Sequence, residues 1–389
     1  MPPADPFLKR IRLKNYRSIA ACDVELGRLT FLVGPNGSGK SNFVDALRFT
    51  ADSLNSTIDH ALRERGGVGE VVNRRADSFS VGLDLTLRDG TPASFAFEVR
   101  ARDDDAYDVS EEECRVGDAF YHVKDGELLA SSVTTVMPPP MADRLYLVHA
   151  SGLADFRPAF DALTSVGAYN LNPSVIREPQ HPDRGELLSR DGRNLASVVA
   201  HLERRAGGVK RRIEEYLGLV VPGVVGFGSA RLGPMDTLVF HQEVEGAREP
   251  RRLPAMSMSD GTLRTVAVLV ALFQARVEER IALVAIEEPE TALHPAAAGV
   301  LRDCLREACR HVQVIVTSHS ADLLDDADID GRDIRAVESR RGRTIITPLD
   351  EVSRSALLDK LYTPGELLRA NQLRAGEPES AQLDMFEGA

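Results

Sequence analysis

The sequence predicts an α/β protein with a mixed central sheet, an antiparallel β subdomain and a helical insertion. Three observations carry that expectation. An apolar strand pattern, Leu29 to Val33, runs straight into a glycine-rich loop that should open a helix. Two later apolar runs, Ile281 to Ile286 and Val312 to Val316, have strand length and end in polar residues, as central strands covered on both faces do. Between these runs lie both two-residue alternation and helical periodicity.

Taken in order, Leu8 to Leu13 alternates apolar with basic residues and reads as a strand, and a helix is expected to begin at Lys40 or Ser41. Phe79 to Leu85 and Ser94 to Val99 flank the turn-forming Arg88-Asp-Gly90 and predict an antiparallel hairpin. The acidic stretch from Asp103 to Pro140, with Asp103-Asp-Asp105 and Glu111-Glu-Glu113, reads as peripheral. Helical periodicity returns from Phe156 to Leu217, best over Asn194 to Tyr216, with Gly207-Gly208 as a break point. A strand at Thr237 to Glu243 precedes an apolar helix, Gly261 to Val277. Ile334 to Val337 and Thr344 to Ile346 pair around Gly342, and residues beyond Glu377 read as a flexible acidic tail.

Composition narrows the function classes. No run of eighteen apolar residues occurs and Met1 to Asp5 lacks a signal-peptide layout, so a cytoplasmic chain without a membrane partner is expected. Cys22, Cys114, Cys304 and Cys309 form no Cys-x-x-Cys pair, which predicts free thiols rather than a zinc site or a disulfide framework. A net charge of -12 opposes non-specific nucleic-acid binding by the whole surface, because that affinity comes from neutralising phosphates.

The chemistry concentrates in four segments. Gly34-Pro35-Asn36-Gly37-Ser38-Gly39-Lys40-Ser41 fits the phosphate-binding G-x-x-x-x-G-K-[ST] pattern between a strand and a helix. Backbone amides and the helix N-terminus would wrap phosphates, Lys40 would neutralise the β- and γ-phosphates, and Ser41 would put its hydroxyl on Mg²⁺. Glu287-Glu288 stands at the tip of an apolar strand, where carboxylates are not buried without partners. They make sense facing Mg²⁺, with Glu287 as metal holder and Glu288 as the base that orients the attacking water. Ser259-Asp260-Gly261 opens an apolar helix as an N-cap. His319, in Thr317-Ser-His-Ser320, ends the next strand, where an imidazole could sense a γ-phosphate.

These segments, with Lys14-Asn-Tyr-Arg-Ser18 and Ile286-Glu-Glu-Pro-Glu-Thr-Ala-Leu-His-Pro295, make the chain resemble the RecF, SMC and OLD-related ABC-type ATPases. The closest likeness is to bacterial AAA-family ATPases without long coiled coils, and it covers most of residues 7 to 370. The resemblance implies a P-loop NTPase of ABC-ATPase type with ATP and Mg²⁺ as cofactors. It divides the chain into an N-terminal half of an ATPase head (1–140), a helical lid insertion (141–235), a C-terminal half (236–350) and an extension with a tail (351–389).

Heads of such families sandwich two ATP molecules as a dimer. On that pattern Ser259, Asp260 and Gly261 complete a partner's site in trans, His319 is the switch histidine, and Arg17 lies close to the nucleotide. Three positions depart from the wider class: Glu287 stands where Asp is usual, Asp260 replaces the first signature glycine, and no glutamine occurs between Lys40 and Gln180. The second Mg²⁺ contact is therefore unassigned.

About 220 residues separate Lys40 from Ser259, too few for a long coiled-coil arm once the hairpin is placed. The resemblance also predicts no TOPRIM nuclease after Ile346, so an effector would act in trans, in DNA repair or anti-phage defence. A RecF-like DNA-binding ATPase is the alternative, with Arg204-Arg205 and Lys210-Arg-Arg212 as candidate contacts or, on the plainer reading, a solvated face balanced by Glu203, Glu214 and Glu215. A transporter subunit is disfavoured by the missing glutamine. Gln382-Leu383-Asp-Met385-Phe386 resembles the pentapeptide that docks bacterial proteins on the DNA polymerase sliding clamp.

Overall fold

More of this chain is strand than alternation alone reveals, and the excess sits where charged side chains are buried. The structure is a computed structural model and describes residues 6–134, 137–141, 143–377 and 385. The chain divides into two compact units, Met1–Val166 with Ala327–Ala389, and Gly167–Asp326.

In chain order the first unit begins with β1 (Leu8–Tyr16), β2 (Ile19–Glu25), β3 (Leu29–Val33), α1 (Lys40–Asn55), α2 (Ile58–Arg63) and α3 (Val68–Val71). It continues with β4 (Ser78–Thr86), β5 (Pro92–Ala101), β6 (Tyr107–Val116), β7 (Ala119–Lys124), β8 (Glu127–Ser131), α4 (Tyr146–Ala150) and α5 (Arg157–Thr164). The second unit holds β9 (Gly167–Tyr169), α6 (Pro173–Arg177), α7 (Leu195–Arg205), α8 (Gly207–Val220), β10 (Val224–Leu232), β11 (Met235–Gln242) and β12 (Arg251–Pro254). It ends with α9 (Asp260–Phe273), β13 (Leu283–Glu287), α10 (Ala298–Ala308) and β14 (Gln313–Ser318). The chain then returns to the first unit with β15 (Ile334–Arg340), β16 (Arg343–Pro348), α11 (Glu351–Leu358) and α12 (Pro364–Arg369).

The strands of the first unit follow the order β8-β7-β6-β5-β4-β1-β2-β16-β15-β3. The run from β8 to β2 is antiparallel, whereas β16 lies parallel to β2 and β15 parallel to β3. Tyr16, Phe49, Phe79 and Phe97 meet edge to face beneath it and tie α1 to the sheet. In the second unit β14, β13 and β9 are parallel, every residue of β13 and β14 is buried, and β10, β11 and β12 form a small antiparallel sheet. The helix α9 is buried from Thr262 to Phe273, which explains its unbroken apolar sequence.

One expectation needs correction. The acidic stretch is three strands, β6 to β8, and Glu112 at its centre is fully buried. Its carboxylate accepts from Tyr121 Oη at 2.7 Å and from the Tyr146 and Leu147 amides at 2.6 and 2.7 Å, so it caps the start of α4. A charge run therefore hid a strand because one acid found three donors. On α8, Lys210 pairs with Glu214 at 2.7 Å and Arg212 with Glu307 of α10 at 2.6 Å. The units also cut the chain at other positions than the sequence divisions at 140, 235 and 350, because β9 pairs with β13 while α5 packs on α1.

Burial pushes the Glu112 carboxyl up to about 7, against the three donors that favour its charged form. Its folded value exceeds its unfolded one, so its contribution to stability is present at acid pH and is lost as pH rises through about 7. We expect stability to fall by roughly 2–3 kcal/mol between pH 5 and pH 8 in urea unfolding followed across that range, and this part of the slope to vanish in Glu112→Gln.

Candidate nucleotide site

The first unit builds a phosphate cradle from backbone alone. Gly39 takes φ +105° as the N-cap of α1 and no side chain caps that helix, so its N-terminus faces an anion without competition. The loop fits tightly against the hairpin β15–β16. A Cβ on Gly34 would come 2.0 Å from the Val337 carbonyl oxygen, and one on Gly39 would come 2.0 Å from Thr344 Oγ1. Thr344 Oγ1 also donates to the Ser38 carbonyl at 2.8 Å.

Lys40 is buried and its Nζ donates to the Gly34 and Pro35 carbonyls at 2.8 and 3.0 Å, which holds the ammonium over the loop. Ser38 Oγ is buried and makes no hydrogen bond within the protein, a donor whose natural acceptor is a ligand oxygen. Pro35, Asn36, Gly37 and Ser41 are exposed along the rim. The cradle therefore fits a phosphate chain, and the Ser41 hydroxyl fits a hard divalent cation.

Arg17 stands beside this cradle in the first unit. Its Nε lies 3.1 Å from Asp45 of α1, and Asp45 also receives Tyr16 Oη at 2.9 Å and Arg65 Nε at 3.0 Å. Arg17, Ser18 and Asn42 line a cleft of about 460 Å³ together with Arg74, Arg75 and Arg343. The Ser18 hydroxyl joins this cleft to the cradle, accepting from Asn42 Nδ2 at 2.6 Å and lying 2.7 Å from Thr344 Oγ1.

The second unit gathers the acids. Glu287 ends β13, buried, and Arg190 stands 3.7 Å from its carboxylate. Glu288 follows in the left-handed region, at φ +44°, a conformation that costs a non-glycine residue about 1–2 kcal/mol. Its amide donates to the Thr317 carbonyl at 3.0 Å, and its Oε1 lies 3.2 Å from His319 Nδ1. The base and the histidine expected from the sequence are thus brought together at neighbouring strand ends.

Glu290, which has no role on the sequence reading, accepts from Ser318 Oγ at 2.6 Å, and burial pushes its carboxyl upward. Ser259 caps α9 by accepting from the Thr262 amide at 3.2 Å. Asp260 pairs with Arg177, and a Cβ on Gly261 would come 2.5 Å from the Ala292 carbonyl oxygen. The signature turn is therefore seated on the segment that follows the acids.

Comparison with known proteins finds ATPase domains along most of the chain. A family model described as "AAA ATPase domain" matches residues 7–114, and one described as "AAA domain, putative AbiEii toxin, Type IV TA system" matches residues 142–326. The OLD nuclease of Thermus scotoductus is 27% identical over 90% of this chain and 66% of its own length. The DNA replication and repair protein RecF of Corynebacterium jeikeium is 37% identical over 21% of this chain and 19% of its own. An Smc head domain from Pyrococcus furiosus, bound to the C-terminal domain of ScpA, superposes with a TM-score of 0.57 at 13% identity, over 92% of this chain and 99% of that one.

The chain is related to the RecF, SMC and OLD ABC-type ATPases. It spans less than two thirds of the length of these two sequence relatives. The sequence marks the glycine loop, the acid pair, the histidine and Arg17, but not Arg190, Arg264, Arg74, Arg75 or Arg343. The pair Arg74-Arg75, with Arg341 and Arg343, is the signal that could have extended that marking to the cleft. Among the described residues no helix is long and apolar enough to cross a membrane, no three metal-binding side chains cluster, and the four cysteines are free. Gln382, Leu383 and Phe386 of the tail pentapeptide lie outside the described residues, while Met385 is buried and sits near Gly82.

Two glycines separate the causes of the loop's sequence. Gly34→Ala forces a Cβ into the Val337 carbonyl, whereas Gly37, at φ +76°, has open space around it. We expect Gly34→Ala to lose roughly 2–4 kcal/mol in urea unfolding and Gly37→Ala only about 1. Equal losses would show that the approach of the hairpin is not what demands glycine.

Proposed function

We propose that the chain binds ATP with Mg²⁺, dimerises around two nucleotides and hydrolyses them, with association as the ATP-bound state and hydrolysis as the release. The observation that carries this reading is Glu288: a carboxylate held in a left-handed turn at a strand end, its amide fixed by Thr317 and its side chain beside His319. Strain of this kind persists where the surrounding structure over-determines it and a site uses it.

On this reading the amides of Gly34 to Ser41 and the N-terminus of α1 hold the phosphates. Lys40 leaves the loop carbonyls for the β- and γ-phosphates, and Ser38 Oγ gains its missing acceptor. Bound Mg²⁺ would supply charge neutralisation at the phosphate oxygens, with Ser41 and Glu287 as its protein ligands. Glu288 accepts the proton of the attacking water, and His319 orients Glu288 and senses the γ-phosphate. Arg17 and its cleft take the remainder of the nucleotide. Ser259 to Gly261 offer a capped helix N-terminus to the nucleotide of a second copy.

The biological setting we propose is DNA repair or anti-phage defence with an effector in trans, supported by relatives named as RecF and as OLD nuclease. Direct DNA contact through α8 is the weaker alternative, since Lys210 and Arg212 already pair with glutamates.

Glu288→Gln is expected to bind ATP, to lose at least 100-fold in turnover and to accumulate as a dimer in light scattering. Lys40→Ala is expected to bind no ATP and to stay monomeric. A Glu288→Gln protein that remains monomeric with saturating ATP would sink the dimer model.

A further inference from the structure

Arg264 grips the backbone of both Glu287 and Glu288. It sits on α9, five residues after the signature serine, and is buried. Its Nη2 donates to the carbonyl oxygens of Glu287 and Glu288, both at 3.0 Å, and its Nη1 donates to the Leu171 carbonyl at 2.6 Å. The bonds go to carbonyls, so the three nearby carboxylates keep their own oxygens for other partners.

These bonds fall where the backbone is strained. A residue at φ +44° is held there by what surrounds it, and for Glu288 that is the Thr317 carbonyl on its amide side and Arg264 on its carbonyl side. A second contact joins the same two segments: Gly261 of the signature turn lies against the carbonyl of Ala292, itself left-handed at φ +66°. The N-terminal turn of α9 is therefore fastened to the acid segment twice, by a guanidinium fork and by a glycine without space for a Cβ.

We propose that Arg264 is a positioning residue: it sets the backbone turn that aims the Glu288 carboxylate and so links the placement of the signature helix to the placement of the general base. Anything that shifts α9, including a nucleotide engaged by Ser259 to Gly261, changes the aim of Glu288 in the same chain. Lysine cannot replace it, because a single ammonium cannot span the three carbonyls with the rigid geometry of the fork. This inference rests on the hydrolytic role proposed above for Glu288.

Arg264→Lys keeps the buried charge and tests the fork. We expect a melting temperature within a few degrees of wild type, an unchanged Kd for a non-hydrolysable ATP analogue and a kcat reduced at least 10-fold. Combined with Glu288→Asp, which shortens the base, the change should cost clearly less than it does alone, since both disturb one aim.

Arg264→Lys with wild-type kcat overturns the inference while leaving the ATPase reading intact. So does a parallel loss of affinity, stability and kcat, or full additivity with Glu288→Asp. A wild type that fails to hydrolyse ATP overturns the proposed function and this inference together.

Discussion

The contact between the phosphate loop and the hairpin β15–β16 is the constraint on which the first unit's chemistry depends. Gly34 and Gly39 press against Val337 and Thr344 at distances that exclude any side chain. Thr344 then binds the Ser38 carbonyl and the Ser18 hydroxyl with one oxygen, so strand, loop and cleft share a hub. A segment some 300 residues downstream thereby shapes the loop. The parallel pairing of β15 with β3, from Ile334 and Phe31 to Ala336 and Val33, brings it there. Backbone amides can converge on an anion only if the chain is held open, and the hairpin supplies that hold through the Val337 backbone and the Thr344 hydroxyl.

The second unit solves a different problem. Parallel strands buried on both faces leave their functional groups at their ends, where the backbone must turn at once. At Glu288 the turn is left-handed, and glycine would adopt it more cheaply. A carboxylate is there instead, which fits a position chosen for its side chain over its backbone preference. The energy of about 1–2 kcal/mol is small beside the burial of β13, α9 and β14, so the unit carries the strain without unfolding.

What the sequence made legible follows from where the signal is local. The glycine loop, the apolar strands ending in Glu287 and Thr317, and the cap at Ser259 are each read within a few residues, because pattern and chemistry coincide there. The helix break at Ala206 was also legible from Gly207-Gly208. The strand holding Glu111 to Glu113 was not: its burial depends on Tyr121, Tyr146 and Leu147, which no periodicity links to it. Arg190, Arg264 and Arg65 were missed for the same reason. An arginine in sequence reads as a solvated charge, and only a fold shows which backbone carbonyl or carboxylate waits for it.

That distinction bears on how the acid segment works at all. Glu287, Glu288 and Glu290 fall within four residues, and burial alone would push such carboxyls toward their neutral forms, as it does for Glu290. A base for water must stay ionised and open to its substrate, so a tight bidentate pair with arginine would quench it. Arg264 lends positive charge to the cluster while spending its hydrogen bonds on main-chain oxygens. Arg190 approaches Glu287 only to 3.7 Å, from a partly exposed position. The segment thus has cations close to its carboxylates, and the imidazole of His319 lies 3.2 Å from Glu288 Oε1. On the proposed reading, an arginine that spends its hydrogen bonds on main-chain oxygens lends charge to one short stretch, Glu287 to Glu290, that would hold both a metal ligand and a base.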